Sequence, residues 1–344
     1  MSEAGEMADH GTKTAQATIE QVAALAGVSR STVSRVLGGG ERVSPAALEA
    51  VHAAIDELNY VPNRAARTLA TRQTQAIGLV VPEDTTRFFG DPFFAAIVSG
   101  IHSRLSRTEH VLNLFIASDD AGDKTTRYLR SGNVDGAIIV SHHTSNTYID
   151  RIADAVPVVF GGRPVRERPG DYYVDVDNVA GGADATEYLI SRGARRIAMI
   201  AGPADMPAGI DRVDGYRRAL ASAGLPDGPV VAGDFTQAGG AAAARRLVAD
   251  GAEFDALFVA SDLMARGALE ALRDAGIAVP GDLKVIGFDD SPIATNSEPH
   301  LTTVRQPSRL QGETMTDVLL ARLRGEDPPR VTTLPTEVVV RQTA

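Results

Sequence analysis

Arg30, Ser31, Ser34 and Arg35 place two guanidinium forks and two hydroxyls within the run RSTVSR. A guanidinium donates a pair of hydrogen bonds that matches guanine O6 and N7, and serine bonds to base edges or phosphate oxygens. Downstream, Asn63, Arg64 and Arg67 precede a lone apolar Leu69, followed by Ala70. That combination is either an ordinary interdomain linker or a short helix that folds only on DNA and presses leucine into a minor-groove step. A third group lies far apart in the chain: Asp91-Pro92-Phe93-Phe94, Arg163, Arg212, Phe235, Ser261, Asp262 and Asp289. Carboxylates and guanidinium groups hydrogen-bond hydroxyls, and aromatic faces stack on a pyranose ring. Composition alone does not name the ligand.

Helical punctuation positions the first group. Thr18 with Gln21 forms a capping box, and Val22, Ala23 and Ala26 make one apolar stripe. Gly27 marks a turn, Ser29 caps a second helix over Arg30–Leu37, and Gly38-Gly39-Gly40 ends it. Ser44 caps a third helix with Pro45 in its first turn, Val43 and Leu48 are spaced as a staple, and Leu48, Val51, Ile55 and Leu58 face inward. Two short helices joined by a glycine turn and backed by a third predict a helix-turn-helix. Its second helix points Arg30 and Ser31, then Ser34 and Arg35, toward a major groove. The alternative is a plain three-helix bundle with a solvated serine-rich face.

From Gln75 the pattern changes to β-branched runs alternating with amphipathic helices. Strands are expected at Ala76–Val81, Val111–Ala117, Gly136–Val140, Pro157–Phe160, Ile197–Ile200, Ala256–Val259 and Val285–Phe288. Helices are expected at Phe93–Arg107, Asn178–Arg192, Val213–Ala223, Gly239–Asp250 and Leu263–Ala275. Repeated βα units predict parallel sheets with helices on both faces, and about 270 residues suggest two lobes rather than one sheet. The third group of side chains falls just after the strands, where such folds bind ligands. One of Phe93 and Phe94 is expected in the core. Arg212 has the alternative of pairing with Asp214, Asp289 that of capping the next turn, and Asp262 and Asp177-Asn178 read as helix caps. Adjacent His142-His143 sits at a strand's end near the expected cleft, lacks metal-pair spacing and reads as a surface loop.

Length and charge bound the function. The 344 residues carry a net charge of −10, yet Thr18–Arg72 has six Lys/Arg against five Asp/Glu, and Asn59–Gln75 has three arginines and no acid. A phosphate-binding surface is local, so the acidic total does not exclude DNA. The absence of cysteine excludes a disulfide framework and thiolate metal sites. No run approaches the ~18 apolar residues of a membrane span. The polar start Met1–Ala17 reads as a disordered tail rather than a signal peptide, so a cytoplasmic chain is expected. No G-x-S-x-G, H-E-x-x-H or G-x-x-x-x-G-K-[ST] occurs, which weighs against a cleft enzyme. A two-lobed solute-binding protein is the other alternative, opposed by the attached helix-turn-helix.

The runs TIEQVAALAGVSRSTVSRVL and VSPAALEAVHAAIDELNYVPNRAARTLATRQTQAIGLVVP resemble the lactose-repressor (LacI/GalR) family of bacterial transcription regulators, and the resemblance extends from Thr18 to Thr343. It implies an N-terminal all-α helix-turn-helix domain at 18–61 and a hinge helix and linker at 62–74. It also implies a C-terminal α/β two-lobed periplasmic-binding-protein-like core at 75–344, with lobes of 75–174 plus 305–330 and 175–304 plus 331–344. DNA contacts are implied for Thr18, Ser29, Arg30, Ser31, Thr32, Ser34 and Arg35, and in the hinge for Asn63, Arg64, Leu69 and Ala70. Effector contacts are implied for Asp91, Phe93, Phe94, Arg163, Arg212, Phe235, Ser261, Asp289 and Gln306. The expected partners are a near-palindromic double-stranded operator, a small-molecule effector of carbohydrate type and a second copy of the chain, with no metal, cofactor or membrane. The resemblance leaves open whether effector releases or promotes DNA binding, since relatives do both, the release mode of a repressor being the commoner. The chain ends at Arg341-Gln342-Thr343-Ala344 after a strand at Glu337–Val340, without a heptad helix, which suggests a dimer. Two departures leave the effector open: a long loop at Pro82–Asp91, and a Gly202–Gly209 segment of mainly proline, alanine and Met206.

Overall fold

A computed structural model describes residues 17–38, 43–61, 73–118, 120, 122–296 and 298–344. The chain falls into two compact units, divided between Thr74 and Gln75.

The first unit holds three helices, α1 (Ile19–Leu25), α2 (Arg30–Leu37) and α3 (Pro45–Glu57). Each begins where a hydroxyl accepts an otherwise orphaned amide proton. Gln21 N–H donates to Thr18 Oγ1 at 3.3 Å while Thr18 N–H donates to Gln21 Oε1 at 2.8 Å. Ser29 Oγ accepts from Thr32 N at 3.2 Å, and Ser44 Oγ from Ala47 N at 3.3 Å. Gly27 takes φ +65°, a backbone state that side-chain-bearing residues rarely adopt, and so turns α1 into α2. Val22, Val33 and Val51, one from each helix, are fully buried at the centre, and Ala23, Val36, Ala54 and Tyr60 close the core around them. Full burial of a valine contributes on the order of 1.5–3 kcal/mol, so this small core depends on three side chains.

The second unit is built on two six-stranded sheets. The first lobe carries β1 (Ala76–Val81), β2 (Val111–Ile116), β3 (Gly136–Val140), β4 (Val158–Gly161), β5 (Tyr172–Val176) and β11 (Val331–Leu334) in the order β11-β5-β4-β3-β1-β2. The second carries β6 (Ile197–Ala201), β7 (Val230–Ala232), β8 (Ala256–Val259), β9 (Lys284–Asp289), β10 (Thr302–Arg305) and β12 (Glu337–Val339) in the order β12-β10-β9-β8-β6-β7. All pairs are parallel except β10 with β12. The central strands β1, β3, β6 and β8 are buried along their whole length, which is why they read as continuous apolar runs.

The helices of the first lobe are α4 (Thr85–Gly90), α5 (Pro92–Leu105), α6 (Lys124–Tyr128), α7 (Tyr148–Ala153) and, late in the chain, α12 (Ser308–Leu323). Those of the second are α8 (Asn178–Ser191), α9 (Pro207–Ser222), α10 (Gln237–Ala249) and α11 (Asp262–Asp274). The segment expected as a long loop at Pro82–Asp91 therefore contains a helical turn, capped where Asp84 accepts from Arg87 N.

The chain crosses between lobes three times, near residues 177, 306–307 and 335–336; the expected lobe boundaries shift slightly at the first two, where Asp175 and Val176 belong to β5 and Arg305 to β10, and need a larger correction at the last. The sequence places residues 331–334 in the second lobe. They pair instead in parallel with β5, Val331 opposite Tyr173 and Leu334 opposite Val176, with Leu334 in the first-lobe core. Only β12 belongs to the second sheet. The strands β5, β10 and β11 and the helix α12 were not expected. The first three are short and carry polar residues (YYVDV, TTVR, VTTL), and α12 buries residues around much of its circumference, which leaves no clean apolar stripe.

Candidate functional site

Two regions concentrate polar chemistry. The first is the outward face of α2. Val33 and Val36 point into the three-helix core, and the same register leaves Ser29, Arg30, Ser31, Ser34 and Arg35 exposed, with Thr32 half-buried. Ser29 Oγ lies 2.8 Å from Ser31 Oγ and 2.9 Å from Thr32 Oγ1, and Arg35 Nε donates to Ser31 O at 3.3 Å. Arg30 pairs with Glu20 of α1 at 3.3 Å, an exposed contact of about 0–1 kcal/mol that yields easily to another partner. Thr18 is exposed, and its hydroxyl is engaged as the α1 cap. The face presents two guanidinium groups and three serine hydroxyls within about two turns, the donor set suited to base edges and phosphates. Asn63, Arg64, Leu69 and Ala70 lie outside the described residues.

The second region is a cleft, partly open to solvent, between the carboxyl ends of the two sheets. From the first lobe come Arg87, Asp91, Phe93, Ser141, His142, Arg163 and Asp175; from the second come Arg212, Phe235, Ser261 and Asp289. Gln306 sits at a lobe crossing and Gln311 on the first turn of α12. Ser141 (φ +61°), Phe235 (φ +61°) and Asp289 (φ +121°) all hold backbone states that favour glycine. Each costs about 1–3 kcal/mol and persists only where the surrounding fold imposes it.

Arg212 organises the second-lobe wall. It is buried at 4% exposure, donates through Nε to Asn178 Oδ1 at 2.9 Å and through Nη1 to Ala260 O at 2.6 Å, and stacks on Phe288 with 3.6 Å to the ring centre. Its Nη1 stands 3.8 Å from Asp289 Oδ1. Two glycines allow this placement. A Cβ on Gly182 would stand 2.5 Å from Arg212 O, and one on Gly215 would stand 2.1 Å from Val179 O, so α8 and α9 meet backbone to backbone. Burial lowers the Arg212 pKa, and the carboxylates of Asp289, Asp175, Asp262 and Asp91 oppose that shift.

The carboxyl groups respond to the same desolvation. Asp289 is raised well above its ordinary value by burial, with Arg212 pulling it down and Asp262 and Asp91 pushing it up. Gln306 Nε2 donates to its Oδ1 at 2.6 Å. Burial raises Asp175 to about 6, although Arg163 N, Val176 N and Asn178 Nδ2 all donate to it at 2.7–3.0 Å. Asp91 is also raised by burial while it caps α5 through Phe93 N at 3.0 Å.

The lobes are clasped around the cleft. Arg163 pairs with Asp211 at 2.8 Å, Arg87 Nη1 donates to Asp234 O at 2.8 Å, and Thr144 N donates to Asp205 O at 3.0 Å. His143 bridges Glu83 of the first lobe at 3.2 Å and Asp205 of the second at 3.0 Å.

Eight of the nine expected effector residues line this cleft: Asp91, Phe93, Arg163, Arg212, Phe235, Ser261, Asp289 and Gln306. Phe94 does not. It is 1% exposed and packs against the rings of Phe88 and Phe93 at 5.2 and 5.3 Å, the core member of the pair. Asp262 is not the cap of α11. Ser261 is, accepting from Met264 N, while the fully buried Asp262 accepts from Thr303 Oγ1 at 2.5 Å and Ser291 N at 2.8 Å. Arg212 does not pair with Asp214, which binds Arg218 one turn on. Asp177 caps α8 as expected, through Ala180 N, but Asn178 turns inward to Arg212. The histidines are no surface loop: His142 is 5% exposed in the cleft wall and His143 joins the lobes. Sequence reasoning missed Arg87, Ser141, Asp175 and Gln311. Asp175 lay in an unread strand, and a search for polar residues just past each strand would have reached Ser141.

Comparison with known proteins places this architecture. Residues 18–63 match bacterial regulatory proteins of the lacI family, and residues 186–344 match a periplasmic binding protein-like domain. The chain is similar to the HTH-type transcriptional regulator CelR of Thermobifida fusca, 47% identical over 94% of this chain and 97% of that one. It is also similar to the ribose operon repressor of Escherichia coli, 38% identical over 89% and 93%. A CelR–cellobiose complex superposes with a TM-score of 0.76 at 43% identity, covering 96% of this chain and 100% of that one. A Lac repressor dimer bound to operator and the anti-inducer ONPF gives 0.84 at 29%, covering 96% and 99%. With its exposed α2 face and its clasped two-lobed cleft, the chain belongs to the LacI family of DNA-binding transcriptional regulators.

Proposed function

We propose that this regulator represses by binding a near-palindromic operator as a homodimer, and that a carbohydrate seated between the lobes of the second unit sets its operator affinity. Arg30, Ser31, Ser34 and Arg35 are the base and phosphate readers, with Ser29 and Thr32 fixing the α2 N-terminus and Thr18 the α1 N-terminus against the DNA backbone. The observation that carries the effector reading is the buried Arg212–Asp289 pair beside Gln306 and Phe235: carboxylate and guanidinium for hydroxyls, with an aromatic face beside them. The cellobiose in the CelR complex and the ribose operon controlled by another relative support a saccharide.

In this reading the effector stabilises one angle between lobes. In a dimer, that angle sets the spacing of the two hinge segments and hence whether both recognition helices reach half-sites about one or two helical turns apart. Coupling of this kind is typically worth about 1–3 kcal/mol and acts equally in both directions. The test selects bound duplex from a random pool and screens saccharides, sugar phosphates and purines by thermal shift. An inverted repeat and a saccharide that changes its affinity are expected. A ligand response confined to purines would overturn the carbohydrate assignment.

A further inference from the structure

The first-lobe wall of the cleft holds two buried acceptors that have no hydrogen-bond donor among the described residues, His142 Nδ1 and Gln311 Oε1. Neither side chain can turn to correct this. Gln311 Nε2 donates to the Val174 carbonyl at 2.9 Å, so its oxygen is the atom left over. His142 Nε2 lies 3.1 Å from the Arg163 carbonyl. A carbonyl only accepts, so Nε2 carries the proton and Nδ1 presents a lone pair. The ring is held edge-on against Phe160 at 5.5 Å. Burial pushes its pKa down to about 4, so the imidazole stays neutral at physiological pH. Both residues, 5% and 4% exposed, line the same cavity.

Buried acceptors without donors are costly, and a ligand that supplies the protons recovers the cost on binding. The cations nearby each face a carboxylate or carbonyl of the protein, although Arg87 Nε makes no hydrogen bond and remains a buried donor in the same wall. Arg87 pairs with Glu83 at 3.3 Å, Arg163 with Asp211 at 2.8 Å, and Arg212 with Asn178, Ala260 O and Asp289. We propose that His142 Nδ1 and Gln311 Oε1 form an acceptor pair that takes two hydroxyl hydrogens of an uncharged, polyhydroxylated effector and rejects ligands that place a phosphate or carboxylate there. This rests on the reading of the cleft as the effector site, and it adds a selection rule: the first-lobe side of the ligand must donate.

The test is calorimetric titration of the full-length chain with D-ribose, D-glucose and cellobiose, and with ribose 5-phosphate and glucose 6-phosphate. The neutral saccharide that binds best is then titrated into H142F, Q311M and D289A. Operator binding and melting temperature without saccharide report folding of each variant. The expected result is that the phosphate ester binds at least ~10-fold more weakly than its parent, and that H142F and Q311M each weaken the saccharide by about tenfold. D289A is expected to lose binding altogether. Single-deoxy analogues titrated into the wild type make the test independent of variant folding: removal of either of two hydroxyls should cost about tenfold. Unchanged affinity in H142F and Q311M with binding lost in D289A overturns the acceptor pair and leaves a saccharide site standing. A phosphate ester that binds as well as its parent also overturns the pair. Failure of every neutral saccharide overturns both.

Discussion

The polar groups of α2 stand in water, whereas those of the cleft have been stripped of it. Arg30 retains 71% of its side-chain exposure and Arg212 keeps 5%. An exposed guanidinium contributes little to stability and is held for what it will touch, so its removal isolates function. A buried one balances several carboxyls, so its removal disturbs the fold and the site together. The two surfaces of one regulator are thus open to different kinds of experiment.

Arg212→Ala should have the largest effect. It leaves Asp289, Asp175 and Asp262 without their cation and is expected to destabilise the second unit by about 3–5 kcal/mol and to abolish saccharide binding. Denaturant unfolding and calorimetry report both. A stable variant that still binds would remove Arg212 from the centre of the site.

Gly215→Ala sharpens the comparison by disturbing Arg212 without touching its charge. The added Cβ meets Val179 O and Ala183 N at 2.1 and 2.7 Å, so α9 must shift. A loss of about 1–3 kcal/mol is expected, with weakened effector binding and a normal melting transition for the first unit.

Arg35→Ala should behave in the opposite manner. Operator affinity should fall by about 1–3 kcal/mol with relaxed preference at one base, while stability moves by less than about 0.5 kcal/mol. Gel-shift titration against single-base operator variants checks it, and unchanged specificity would end its role as a reader.

The smallest effect concerns pH. His143 faces Glu83, Asp205, His142 and, through Glu83, Arg87. Its pKa is raised above 6.5, by Glu83 first, against burial, with Asp205 adding to the rise. A raised value means the clasp is strongest when His143 is protonated, and its contribution is lost as pH rises through that value. Saccharide affinity of the wild type should exceed that of His143→Gln at pH 5.5, and the two should converge as the pH rises through the raised His143 value. A gap independent of pH would show that the proton does not matter.

The head of the molecule was legible because its signals are local. Thr18 and Gln21, Ser29 and Thr32, Ser44 and Ala47 each speak to one another within three residues, and a glycine marks the turn. Strand ends in the second unit were legible too, since buried parallel strands read as apolar runs and their successors line the cleft. What was hidden depends on contacts far apart in sequence. The exchange of β11 into the first sheet rests on pairing with β5 more than 150 positions away. The inward turn of Asn178 requires Arg212 on another helix, and the choice of Phe94 over Phe93 for the core depends on Phe88 from a turn not foreseen.

Reciprocity tests the central claim most directly. Anisotropy of a labelled inverted-repeat duplex gives operator affinity with and without saturating saccharide, and calorimetry gives saccharide affinity with and without duplex. The account predicts the same ratio from both, between about 5 and 150, and no ratio different from one in Asp289→Ala. No preference for any inverted repeat at low ionic strength, with or without saccharide, would contradict it.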